Sequence, residues 1–235
     1  YMNLLSAADA ARRPASLDGL GQAYGAVSGA EAEPPMMWNA NYAGPQFYGF
    51  TTYQKTPLML SMLGGIVGDS AVQRAHRAWA EAWRFKHPSP WDWMFFMDRA
   101  LGRDLGWFWH AWLFTTERVD GSIADVRTAG TRATVTVRQD GQMPSPIVLR
   151  VLLADGPSRL RAVPGARVLD ARTAEVTVPV EVWFDGRRTH EVTLDFGRAV
   201  ESVVLDPGCR FPDAKPADNV WPRTAPLPAC AQGAR

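Results

Sequence analysis

The spacing of apolar residues changes near residue 119, and that change commits the chain to two differently built parts. Before it, apolar residues recur three and four positions apart, the period of an amphipathic helix. After it they alternate, the period of a half-buried strand. One regular element cannot satisfy both periods. The expected class is therefore α+β, with an all-helical portion followed by a small antiparallel β-sandwich. Helices are expected over 54–67, over 71–85 behind Asp69 as N-cap, from Ser89 or Pro90 to 101, and over 105–114 behind Asp104. A short amphipathic helix is expected over 2–11, and 15–49, rich in Gly, Pro and Ala, reads as loop with a helical turn around 17–24. Strands are expected over 132–139, 147–153, 174–183, 191–196 and 202–205, with Asp140-Gly141 and Asp185-Gly186 placed as turn signals. The division is then 1–118 helical, 119–208 sandwich and 209–235 an irregular, proline-rich tail.

Charge excludes some partners. The formal net charge is +1 with no run of like charges, so nothing recommends nucleic acid or an anionic membrane surface. No window has the roughly 20 apolar residues that a membrane helix needs. The chain begins at Tyr1 with no signal-like segment after it, as expected of a processed protein or of part of a longer one. Eight of the ten tryptophans lie between Trp38 and Trp112, which implies a helical part heavily packed with aromatics and suited to docking on another domain.

The usual catalytic signatures are missing. The four histidines, His76, His87, His110 and His190, form no H-E-x-x-H and have no ligand partner at i+4, so no metal site is expected in this chain. There is no G-x-S-x-G elbow, and Gly64-Gly65 lacks the lysine of a phosphate loop. Cys209 and Cys230 either bridge a short C-terminal loop or stand as two thiols. Asp92 and Asp98 read as capping and surface residues, and the tryptophans four apart read as packing.

What remains is Tyr48-Gly-Phe-Thr-Thr-Tyr53, directly before the apolar helix. A phenol at a helix N-terminus is suited to donate a hydrogen bond to a developing oxyanion. From the residues alone, the same two rings read first as core aromatics that anchor a helix start.

The order of motifs around them resembles the C-terminal part of the catalytic domain of aminopeptidase N-type zinc metallopeptidases, the gluzincin family that includes leukotriene hydrolase. The residues that carry the likeness are Tyr53-Gln54-Lys55, Leu58 to Leu60, Met62-Leu63 and Gly68-Asp69, then Trp83 to Pro88 and Pro90 to Trp93. Gly102 to Leu105, Trp107 to Trp109 and Trp112 complete a set spread over about 65 residues. The strands resemble the small sandwich that follows this domain, ending in Leu205-Asp206-Pro207 and Asp218 to Trp221.

The resemblance implies a peptide hydrolase in which Tyr53 is the catalytic tyrosine and Tyr48 lies beside the substrate. It implies zinc in the parent enzyme, and as partners a peptide substrate and the missing N-terminal part. The zinc motif of the family lies upstream of the tyrosine, and the 52 residues before Tyr53 do not contain it, so the chain alone is expected to be inactive. Thr56 stands where the family often has glycine, and Pro57 is a further departure. Exported bacterial members of the family, together with a Cys209–Cys230 bridge, imply a periplasmic or extracellular location. The alternative is a non-catalytic binding or scaffold module, or a helical-plus-sandwich interaction protein.

Overall fold

The computed structural model describes residues 24–25, 27–42, 44–156 and 159–228; the helix expected over 2–11 and most of the turn around 17–24 lie outside them. The chain forms two compact units, one holding 27–117 and the other holding 118 onward. Helices come first and antiparallel sheets second, an α+β class.

In the first unit, α1 (Gly44–Gly49) runs into a π-helical turn (Phe50–Lys55) and on into α2 (Thr56–Val67). The backbone at Gly49, Lys55 and Thr56 is right-handed helical throughout, so the three segments are one continuous helix. The sequence places a helix start just ahead of Pro57; the structure places Pro57 inside a helix that began at Gly44. Proline in an α-helix interior loses its N–H bond and its ring strikes the carbonyl four residues back, here that of Tyr53. The π register, which bonds i to i+5, moves that carbonyl aside.

Gly68, with φ of 91°, ends α2 and stands at the N-cap of α3 (Asp69–Trp83), so Asp69 is the first helical residue and not the cap. Ser89 caps α4 (Pro90–Leu101) through a complete capping box with Asp92. Gly102 closes α4 in the left-handed conformation. Asp104 Oδ1 accepts the Gly106 N–H at 3.0 Å ahead of α5 (Gly106–Trp109), which continues as a second π turn, His110–Phe114. The core holds Leu58, Met62, Leu63, Val72, Met97, Phe108 and Trp112. Trp112 Nε1 donates to Met62 Sδ at 3.3 Å, and Asp98, more than a surface residue, accepts from Trp109 Nε1 at 2.7 Å.

The second unit carries two antiparallel sheets. β1 (Gly121–Ala129), β2 (Arg132–Gln139) and β6 (Thr189–Asp195) form one, in the order β1-β2-β6. The other contains β3 (Ile147–Leu153), β4 (Ala166–Val168), β5 (Thr173–Val178), β7 (Val200–Leu205) and β8 (Val220–Trp221), in the order β4-β5-β3-β7-β8. Alternate residues are buried, as the period requires: Ala133, Val135 and Val137 on β2, Leu149, Val151 and Leu153 on β3.

The two Asp-Gly signals do not turn hairpins. Asp140-Gly141 leads from β2 to β3 and Asp185-Gly186 from β5 to β6, each a crossing between sheets. Gly141 is needed for a different reason: a Cβ there would lie 2.3 Å from the Arg118 carbonyl oxygen. Residues 180–183, expected to extend a strand, form a 3-10 turn (Val180–Trp183) whose Trp183 Nε1 donates to the Ser145 carbonyl at 2.9 Å. The 209–235 segment, expected to be irregular, supplies β8, because Arg223 bonds the Val220 and Ile123 carbonyls and holds Val220–Trp221 against β7. Cys209 is disulfide-bonded, and the only other cysteine in the sequence is Cys230.

Candidate functional site

Tyr48 and Tyr53 both stand outside the core, 43% and 68% exposed. Their ring centroids are 6.4 Å apart and nearly perpendicular, an edge-to-face pair. In an α-helix, residues five apart diverge by about 140° around the axis. Across a π turn they fall nearly one turn apart, so the two rings share a face. The bulge that accommodates Pro57 is therefore also what brings the phenols together. Thr51 donates its hydroxyl to the Phe47 carbonyl at 2.9 Å and Thr56 to the Thr51 carbonyl at 3.1 Å, both satisfying backbone oxygens within this stretch.

One expectation about these residues changes. Tyr53 is not at a helix N-terminus but well inside a continuous helix, so the end of a helix dipole does not act on its hydroxyl. Its availability comes from exposure and from the π turn. Neither tyrosine is a core aromatic.

The opposite side of the same turn is buried. Lys55 is completely inaccessible and Glu33 almost so, and Lys55 Nζ lies 2.7 Å from Glu33 Oε1. The other carboxylate oxygen accepts the Gly29 N–H at 2.7 Å. Glu33 lies in the Gly- and Pro-rich stretch that reads as loop, and nothing in its neighbours singles it out. Lys55 did carry a signal: it falls on the stripe Thr51, Lys55, Leu58, Met59, Met62, where a lysine needs a buried carboxylate partner.

A second polar cluster lies in the other unit and escaped the sequence reading. Asp206 follows β7 and accepts the backbone N–H groups of Arg210 at 3.0 Å and Phe211 at 2.8 Å. Burial, with the charge of Asp213 added, pushes its carboxyl up to about 7. Asp213 accepts from the backbone of Gly121 and Lys215 and from Asn219 Nδ2, and burial raises it to about 6. These carboxyls line a cavity of about 20 Å³ among Val137, Ile147, Trp183, Leu205 and Phe211. That is room for about one water. Buried acceptors without partners, Asp120 Oδ1, Gln139 Oε1 and Asn219 Oδ1, belong to residues of the same region. This cluster ties the segment after β7 to the start of β1.

Among the described residues, no three or more His, Cys, Asp or Glu side chains are arranged to hold a metal ion. His76 bonds the Val72 carbonyl within its own helix and packs on Trp93; His110 stacks on Phe114 and His190 meets Trp183 edge-on. Among the described residues, no helix is long and apolar enough to cross a membrane.

No protein-family model matches the chain, and no curated protein matches it. Among solved structures it is similar to Legionella pneumophila aminopeptidase A, determined in complex with aspartic acid, at 13% identity and a TM-score of 0.48. The likeness covers 72% of this chain and 18% of that one, so the chain spans less than a fifth of that protein's length.

Proposed function

We propose that this chain is the C-terminal part of an aminopeptidase-like zinc metallopeptidase of the gluzincin type, comprising the end of its catalytic domain and the β-sandwich that follows. The observation that carries this is the Tyr48–Tyr53 pair: two phenols held side by side on an exposed helix face, within the run of motifs that resembles the family. In this reading Tyr53 donates its O–H to the oxyanion that develops at the scissile carbonyl, an interaction stronger in the transition state than in the ground state. Tyr48 flanks the substrate and buttresses the Tyr53 ring in the edge-to-face pair.

The described residues do not fit a zinc site. The chain alone is proposed to be inactive, with zinc, water activation and recognition of the peptide amine supplied by the rest of the parent. The disulfide at Cys209 supports an exported protein, since such bonds persist in oxidising compartments.

The test is Tyr53→Phe in the full-length parent, assayed on aminoacyl substrates. A fall in kcat of about 10²- to 10³-fold with little change in KM is expected for a lost oxyanion donor. Turnover near wild type would overturn the assignment.

One feature favours the second reading, a binding module. Trp91 stacks on Phe114 at 5.3 Å and runs on to Phe95, with Trp91 and Phe95 at least half exposed. Exposed aromatics of this kind commonly mark an interaction surface.

A further inference from the structure

We propose that the buried Lys55–Glu33 ion pair is a positioning clamp that holds the π turn and keeps Tyr48 and Tyr53 on one face. Lys55 is two residues beyond Tyr53, roughly half a turn around the helix, so drawing Lys55 inward directs Tyr53 outward. The pull is directional. Nζ meets one carboxylate oxygen at 2.7 Å while the other oxygen is fixed by the Gly29 N–H at 2.7 Å, so the acceptor cannot swing with the helix. An apolar side chain would fill the same space without the desolvation cost of two buried charges, and such replacements are often neutral for stability. What the ion pair adds is geometry. Pro57 disfavours an α register across Tyr53, and the clamp sets the rotation of the turn that results. Should the turn relax toward α geometry, the two rings would separate by up to about 140° around the axis.

The inference rests on Tyr53 being the working group of the site, but its test needs no turnover. The 235-residue chain is labelled with 3-fluorotyrosine, and the Tyr48 and Tyr53 lines are assigned with the two Tyr→Phe variants. Lys55→Met alone would strand the buried Glu33 carboxylate without its partner, a strongly destabilising change, so the informative variant is Lys55→Met with Glu33→Met. That chain is expected to keep its circular dichroism and cooperative melting while both fluorine lines move and the ring-to-ring Overhauser contact weakens at least twofold. Met62→Ala serves as the control: it removes a buried core side chain, and it should lower the melting temperature without moving either line. Unchanged lines and contact in the folded double variant would overturn the clamp.

A second measurement uses the unmutated chain and decides the matter if the double variant does not fold. Native-state hydrogen exchange should show the Gly29 amide and the amides of Phe50–Lys55 opening together, at one common opening constant within about twofold. Independent opening of the two segments would overturn the proposal. A Tyr53→Phe enzyme of normal activity would remove the peptidase reading and leave both of these results standing.

Discussion

Replacing Asp206 with asparagine is expected to remove a large part of the pH dependence of the β unit's stability between about pH 4 and 7. In the unfolded chain this carboxyl loses its proton near its ordinary value of 3.8; in the folded chain, burial and the neighbouring Asp213 hold the proton until about 7. Between those values the folded state binds the extra proton, so stability falls as pH rises. The contribution is fully present below 3.8 and is lost as pH rises through about 7. A displacement of that size corresponds to about 4 kcal/mol. Asp213, raised to about 6, acts in the same direction, as does Asp218. The effects do not add simply, because the charge on Asp213 is one cause of the rise at Asp206. The lowered carboxyls, Asp92, Asp170 and Asp195, have the opposite sign, and their window lies below 3.8.

Asparagine carries no charge at any of these pH values, but its amide nitrogen replaces an acceptor, so one of the two N–H groups, of Arg210 or Phe211, loses its partner. That costs about 1–3 kcal/mol. The two stability curves should therefore cross: wild type more stable at pH 4, the variant equal or better at pH 8. The readout is native-state exchange of the Leu149, Val151 and Val203 amides, which lie in the buried strands of this unit alone. A wild-type stability that is flat or rises from pH 4 to 7, or two curves that run parallel, would refute the reasoning.

Two local changes test the fold itself. Ser89→Ala removes the acceptor for the Asp92 N–H and half of the capping box, and should lower the stability of the helical unit by about 1 kcal/mol in urea melts; no change would mean the cap is dispensable. Gly141→Ala places a Cβ 2.3 Å from the Arg118 oxygen and 2.6 Å from the Asp120 nitrogen, both backbone atoms that cannot step aside. It should cost about 3 kcal/mol or more, seen as a lowered melting temperature of the β unit, and a melting temperature like wild type would contradict that close approach.

The class of the fold was readable because periodicity reports burial, and burial is what decides an element. The α4 box was equally plain, since Ser89, Pro90 and Asp92 sit next to one another and act next to one another. Strands β2 and β3 could be read residue by residue, because each buries one alternating set of apolar side chains. What could not be read depends on partners remote in sequence. Asp140-Gly141 looks like a hairpin turn because the dipeptide favours left-handed backbone, yet which sheet the next strand joins is decided by packing elsewhere. The sequence pattern misplaces the helix start for a related reason. Pro57 normally marks a first turn, and only a bulge that relieves it lets the helix extend back to Gly44. The same logic applies to the site. Tyr48 and Tyr53 were visible as a pair, but their shared face comes from the π register, and the carboxylate opposite Lys55 lies 22 residues upstream. A lysine on an apolar stripe announces that such a partner exists and does not say where. The phenols are thus named by the sequence, but the bulge and the ion pair beside them come together only in the folded chain.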